Sequence, residues 1–344
     1  MLDLVRIARD YQGLTQKINL NGTTVEHWNR APTPLEFSRL VNIAHDALPN
    51  ILARERWSEQ YLLDTMGDSL ISVAVTPDGN ADAVTHHPAD GKQYFVEPCI
   101  ERMTMRELLN NINDAGDVSK SSANEICYLQ SQNGNLFTPK DPSHCTNEFI
   151  PIRDDVPADI AWATEALAQP PDAVNVWIGD ERSRTSIHSD PYENIYTVIR
   201  GSKLFILLPP TEGFLLSERE YPRATYERLD GTEGAGALQL VPCVPEGPPV
   251  RTENKDNKDA ERAFREHARP IYVTLREGET LYLPSGWWHH VSQSCSSNTQ
   301  SEDSKQEGRA CIALNWWYDM EMRGDRWVWL STLRRAAKEN SSLK

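Results

Sequence analysis

His188-Ser189-Asp190, read together with Leu283-Pro284-Ser285-Gly286-Trp287-Trp288-His289-His290-Val291 farther along the chain, supplies two histidines and one carboxylate. Side chains alternate across a strand, so His188 and Asp190 share a face and can reach one metal ion from one strand. A third ligand then comes from elsewhere. Two neutral imidazoles and a carboxylate on one face of an octahedral ion leave the opposite face open, the arrangement suited to non-haem Fe(II) and oxygen chemistry. A bare His-x-Asp pair also arises by chance in a chain with 9 histidines and 50 acidic residues, so the flanking sequence decides.

Ahead of the pair, Ala173-Val174-Asn175-Val176-Trp177-Ile178-Gly179 is rich in β-branched and aromatic residues and predicts a strand. Behind it, Asn194 to Ile199, the turn Arg200-Gly201-Ser202, and Lys203 to Leu208 stopped by Pro209-Pro210 predict a hairpin. Lys203 opens an apolar run. It is either a strand-end charge reaching solvent or a buried cation awaiting an anion, and beside a metal site the second reading is favoured.

A chain of 344 residues can build one large β-rich domain with helical additions, or two domains, around a substantial core. No internal repeat is visible. No apolar run is long enough to span a bilayer, and Asp3, Arg6, Arg9, Asp10 and Lys17 interrupt any signal-peptide core, so a soluble cytoplasmic protein, present also in the nucleus, is expected. Cys99, Cys127, Cys145, Cys243, Cys295 and Cys311 form no C-x-x-C pair, which argues against a zinc knuckle and a disulfide framework and for a reducing compartment. The net charge of -15 argues against broad nucleic-acid binding and leans toward cationic partners. Most of these carboxylates are read simply as solvated surface.

Helical spacing marks Leu2 to Gln16, the stretch from Thr33-Pro34-Leu35-Glu36-Phe37 with Thr33 as cap, Trp57 to Met66 capped by Ser58, Met103 to Leu109 capped by Thr104, and Ala158 to Ala168. Further strands are predicted at Leu70 to Thr76 and Ile126 to Gln130. Residues 217–269, rich in Pro, Gly and charge, read as a loop excursion that is part substrate-facing surface and part linker. Residues 292–308, a Ser, Asn, Gln and Glu tract, read as a largely disordered insertion. The last helix is placed around Arg326 to Leu333, where Trp327 and Trp329 need burial against the core or another subunit.

Taken together, Pro32 to Phe37, Thr65-Met66-Gly67-Asp68, Val73 to Pro77, His188 to Pro210 with Tyr192-Glu193-Asn194, Leu281 to Val291, and Ala313-Leu314-Asn315-Trp316-Trp317-Tyr318-Asp319-Met320-Glu321 resemble the JmjC-domain 2-oxoglutarate oxygenases, in particular their small lysyl (3S)-hydroxylase branch. The resemblance spans nearly the whole chain in the family's order. It implies a mainly β fold with flanking helices: a double-stranded β-helix of the jelly-roll or cupin type over 126–320, an N-terminal helical and strand extension over 1–125, and a C-terminal helix over 321–344. Fe(II), 2-oxoglutarate and O2 are the implied cofactor and co-substrates.

By the same resemblance His188, Asp190 and His289 are the metal ligands. His289 rather than His290 fits the family's Trp-x-His-x-Val spacing. Lys203 would hold the distal carboxylate of 2-oxoglutarate, with Tyr128 and Thr185 as hydroxyl partners, and Asn194 and Asn315 would line the iron end. Each has a plainer alternative: Thr185 as a β-former, Tyr128 as a core aromatic, Asn194 as a turn amide. Trp177, Trp287, Trp288, Trp316 and Trp317 read first as barrel core, with Trp177 and Trp317 as candidates for pocket lining. The implied activity is hydroxylation of a lysyl residue in a GTP-binding protein of the developmentally regulated type, by a homodimer joined through the C-terminal helix. A histone-type demethylase, a methyl-arginine- or methyl-lysine-directed peptidase, and a non-catalytic cupin-like metal-binding interaction protein stand as alternatives. The sequence departs from the family at 41–56, where an apolar strand ending in an Arg-Gly or Arg-Asn turn is expected and Val41-Asn42-Ile43-Ala44-His45-Asp46-Ala47-Leu48 stands instead. That leaves the N-terminal edge of the main sheet open.

Overall fold

The computed structural model describes residues 4–17, 26–37, 42–48, 50–114, 125–131, 136–137, 148–228, 236–243, 250–254, 257–295, 308–320 and 324–342. Helix α1 (Leu4–Lys17) is followed by β1 (Glu26–Trp28), α2 (Pro34–Phe37), β2 (Asn42–His45), α3 (Leu52–Arg56), α4 (Glu59–Met66) and β3 (Leu70–Thr76). Next come β4 (Asn80–Ala81), β5 (Ala83–His86), β6 (Gln93–Glu97), β7 (Cys99–Thr104), α5 (Met105–Asn113) and β8 (Ile126–Ser131). Helices α6 (Ile150–Arg153) and α7 (Ala161–Leu167) precede β9 (Ala173–Gly179), β10 (Arg184–Ser189), β11 (Tyr192–Arg200) and β12 (Ser202–Leu208). A 3-10 segment, Pro210–Leu216, leads into β13 (Arg219–Tyr221), β14 (Arg223–Arg228), β15 (Leu238–Pro242), β16 (Val250–Thr252) and α8 (Lys258–His267). The chain closes with β17 (Ile271–Arg276), β18 (Glu279–Leu283), β19 (Trp288–Ser294), β20 (Cys311–Asp319) and α9 (Gly324–Ser342).

Two sheets face each other. The larger has the order β1-β2-β18-β11-β20-β9-β8-β3-β7, and the smaller β17-β12-β19-β10-β4. Alternation explains why β9, β18 and nearly all of β20 are buried at every position. Ala173, Trp177, Ala313 and Trp317 point inward, where they meet Phe205, Leu207, Val273 and Leu275 of the smaller sheet. Val174, Val176, Ile178, Ile312, Leu314 and Trp316 point outward, onto Trp57, Leu62, Met66, Met105 and Leu108 of the flanking helices. A sheet covered on both faces needs strands that are apolar throughout. The helix starts follow the caps read from the sequence: Ser58 accepts from Tyr61 N at 3.1 Å, Thr104 and Glu107 form a reciprocal capping box, and Thr33 and Glu36 do the same.

The predicted hairpin is not one. Strand β11 pairs with β18 and β20 in the larger sheet, whereas β12 pairs with β17 and β19 in the smaller. The turn at Gly201, with φ 77°, carries the chain from one sheet to the other. Both strands look alike in sequence because each buries a face in the same interlayer core.

Residues 217–269 are also more than a loop. They hold β13 to β16 and α8, and β14 joins β15, β6 and β5 in a third sheet. Of the 292–308 tract, Ser292 to Ser294 continue β19, and 296–307 lie outside the described residues. The unusual 41–56 segment still joins the larger sheet: Ile43 and Ala44 of β2 sit opposite Leu281 and Thr280, and β1 pairs on the other side of β2 as the edge strand.

Candidate active site

Strands β10 and β19 are antiparallel neighbours, and His188 is the Cα partner of His289. A register shift between Thr185 and His188 ends the regular pairing just before the ligand position. The two imidazole rings stand 4.2 Å apart between centroids. Each Nδ1 meets the carbonyl oxygen two residues earlier, Ser186 O at 2.8 Å and Trp287 O at 3.1 Å. That contact sets the proton of the neutral imidazole on Nδ1 and assigns Nε2 as the ligand atom once its own proton is displaced, as a metal ligand requires. Both Nε2 atoms approach Asp190 Oδ2, at 3.5 Å and 3.6 Å. One ligand atom from each of the three residues lies within 4.8 Å of the others.

Charge follows this geometry. Burial disfavours protonation of His188, but the Asp190 carboxylate outweighs it and raises the imidazole to about 9. Burial likewise opposes ionisation of Asp190, and His188 overcomes it, bringing the carboxyl down to about 2. His289, desolvated and facing an already cationic His188, falls to about 4. A cationic imidazole, a neutral imidazole and a carboxylate thus stand together with no net charge, and a divalent cation would take the place of the His188 Nε2 proton.

The loop before β19 is held in place from β11. Glu193 accepts hydrogen bonds from Tyr282 Oη at 2.7 Å, Ser285 N at 3.1 Å and Ser285 Oγ at 3.0 Å. Gly286, at φ 78°, donates its N–H to the carbonyl of Asp190 at 2.9 Å. A residue with a side chain would be strained there, and its Cβ would meet Leu330 at 2.8 Å.

The triad opens on a cavity of ≈ 240 Å³. Its wall contains Tyr128, Trp177, Thr185, Asn194, Asn315 and Trp317 as well as the three candidate ligands, so the structure brings these predicted residues together. Asn315 donates to Asn194 Oδ1 at 3.1 Å and accepts from Trp177 Nε1 at 3.0 Å, a chain linking three strands of the larger sheet. Lys203 is 1% exposed, with Nζ 3.4 Å from Tyr128 Oη and a hydrogen bond to Gln293 Oε1. Among the described residues it has no ion-pair partner, so the buried-cation reading holds. Thr185 reaches the cavity wall, but no hydrogen bond joins it to Lys203 among the described residues. His290 is half-buried and absent from the wall.

Gln293 escaped the sequence reading because it lies at the edge of a polar tract. Strand alternation could have found it: 289, 291 and 293 share a face. Gln293 stands behind the wall with Lys203, whereas Tyr196, Asp82, Phe95 and Gln130 line the cavity itself and carried no motif.

These residues fit iron and 2-oxoglutarate. The donor set is two imidazoles and a carboxylate with a preset tautomer, and among the described residues the buried Lys203 ammonium has no counter-anion and the buried Trp317 Nε1 in the wall has no hydrogen-bond partner. Each is a group that a bound dicarboxylate or its metal would satisfy.

Residues 42–324 match the family described as the cupin-like domain. The chain is 32% identical over 338 residues to "Lysine-specific demethylase JMJ32" of Arabidopsis thaliana, covering 94% of this chain and 89% of that protein. It is 34% identical over 311 residues to "Bifunctional peptidase and (3S)-lysyl hydroxylase JMJD7" of Homo sapiens, covering 86% and 84%. Identity to "JmjC domain-containing protein E" of Dictyostelium discoideum is 30% over 335 residues, covering 91% and 89%. With a jelly-roll barrel, a His-Asp-His cluster at its cavity and this likeness along nearly its full length, the chain belongs to the cupin-like JmjC oxygenases.

Proposed function

We propose that the chain is an Fe(II)- and 2-oxoglutarate-dependent protein hydroxylase acting at C3 of a lysyl residue. The carrying observation is one cavity that presents the His188, Asp190 and His289 donor atoms at its wall and the uncompensated Lys203 ammonium behind Tyr128. Bound iron would supply oxygen activation, coupled to conversion of 2-oxoglutarate to succinate and CO2, for insertion of one oxygen atom into an unactivated C–H bond. Lys203 and the Tyr128 hydroxyl bind and orient the distal carboxylate, an interaction strengthened by their dry surroundings. Asn194, Asn315 and Trp177 hold one wall rigid, and Trp317, stacked on Tyr192 at 4.8 Å, excludes water from another.

The lysyl target is supported by the human relative, a (3S)-lysyl hydroxylase by name, and a GTP-binding protein of the developmentally regulated type is the proposed bearer of that lysine. A second reading, demethylation, draws on the name of the Arabidopsis relative. Peptide mass spectrometry with iron and 2-oxoglutarate separates them. Gain of one oxygen on unmodified lysine is expected; loss of a methyl group from methyl-lysine, or cleavage of the peptide, would replace this reading. Protein that binds neither Fe(II) nor 2-oxoglutarate would be a non-catalytic cupin.

A further inference from the structure

Besides Asp190, the cavity wall contains one carboxylate, Asp82. It stands between β4, where Ala81 pairs with Thr185 of β10, and β5, where Ala83 pairs with Val96 of the third sheet. The chain changes sheets at this residue in the left-handed conformation, with φ 53°. L-residues with a side chain adopt this backbone rarely, and aspartate tolerates it better than most. Asp82 Oδ2 accepts from Gln130 Nε2 at 3.0 Å. Among the described residues no ion pair joins Asp82 to a cation: it feels the charges of His188, in the same cavity wall, and of Arg223, which is bound to Glu97. Burial pushes the carboxyl's pKa up, so the substrate-free protein bears the cost of desolvating it. Phe95, from β6 of the third sheet, lines the same cavity and offers an apolar surface for a methylene stem.

A half-buried carboxylate with no ion-pair partner among the described residues, set on a left-handed backbone in the cavity wall, is retained where a ligand compensates it. We infer that Asp82 receives the ammonium end of a cationic substrate side chain and so selects lysine over a neutral chain with the same stem. This rests on reading the cavity as the place where a protein side chain is oxidised. Asp82 stands on the turn between β4 and β5, apart from the strands that carry His188 and His289, which suits an extended side chain reacting near its backbone end and anchored at its tip.

The test uses the full chain loaded with Mn(II) and N-oxalylglycine, and fluorescein-labelled degenerate peptides with a central lysine or a central norleucine. Anisotropy should show the wild-type protein binding the lysine pool about tenfold more tightly, or about 1.4 kcal/mol. Asp82→Asn and Asp82→Gly should bring the two pools within about twofold of each other, and Asp82→Glu should keep part of the preference. Glycine is free of strain at this φ, so Asp82→Gly guards against a folding defect. Unchanged discrimination in both neutral variants, or no lysine preference in the wild type, overturns the assignment. Mass spectrometry of the same pools with iron and 2-oxoglutarate reports separately. Lysine preference in binding without added oxygen overturns the hydroxylase reading and leaves Asp82 in place; oxygen added without charge preference overturns Asp82 alone.

Discussion

His188 and Asp190 were legible because spacing on a strand is a local property, and Trp287 and Val291 picked out His289 from its neighbour. Replacing His188 with alanine should abolish metal-dependent 2-oxoglutarate turnover, measured as succinate release. Lys203→Ala removes a charged hydrogen-bond donor worth about 2 kcal/mol, so the KM for 2-oxoglutarate should rise roughly thirtyfold. Gln293 does two jobs, accepting from Lys203 and donating to Asp180 O. Gln293→Leu leaves the buried Lys203 ammonium with Tyr128 Oη and Asp180 O with Ser183 N, one hydrogen bond fewer at each, and thermal unfolding should register a loss of about 1 kcal/mol. Asp82 was illegible for a different reason: its importance comes from a backbone angle and from strands remote in sequence, and a lone Asp in Gly-Asn-Ala-Asp-Ala carries neither.

Among the elements, caps were read correctly where the sequence states them in full. Thr104 and Glu107 exchange hydrogen bonds at the start of α5, so Thr104→Ala should cost about 1 kcal/mol in denaturant unfolding. Those bonds hold the Glu107 carboxyl below its ordinary 4.5. Its folded-state pKa is the lower one, so its contribution is complete above 4.5 and fades as pH falls through the folded value; the wild-type and Thr104→Ala melting curves should converge in acid. The crossing from β11 to β12 was misread because a tight Gly turn between two apolar runs looks the same whether the strands pair or part. At Gly201 the φ of 77° and a Cβ position 2.9 Å from Ser294 O decide for parting. Gly201→Ala should therefore destabilise by about 1–2 kcal/mol from the backbone alone, read as a lower denaturant midpoint.

At the scale of the whole molecule, the jelly-roll was legible through the order of its segments, whereas the third sheet was not. Residues 217–269 are polar because β14 and β15 cover one layer only, and Arg228 of β14 pairs inward with Glu101 of β7 and with Glu125 just before β8. Helix α9 leaves Trp327, Val328 and Trp329 exposed by 39%, 61% and 63%. A second copy is the proposed cover, and Trp329→Glu should shift the mass by light scattering from dimer to monomer. The opposition of His188 and His289 across β10 and β19 bears on local opening. Far apart in the chain, the two rings meet only while these strands stay zipped, so a cation between them acts as a clasp on that one seam. Titrating Mn(II) should slow amide hydrogen exchange along β10 and β19 ahead of the rest of the barrel, and the melting temperature should climb with metal concentration as mass action requires.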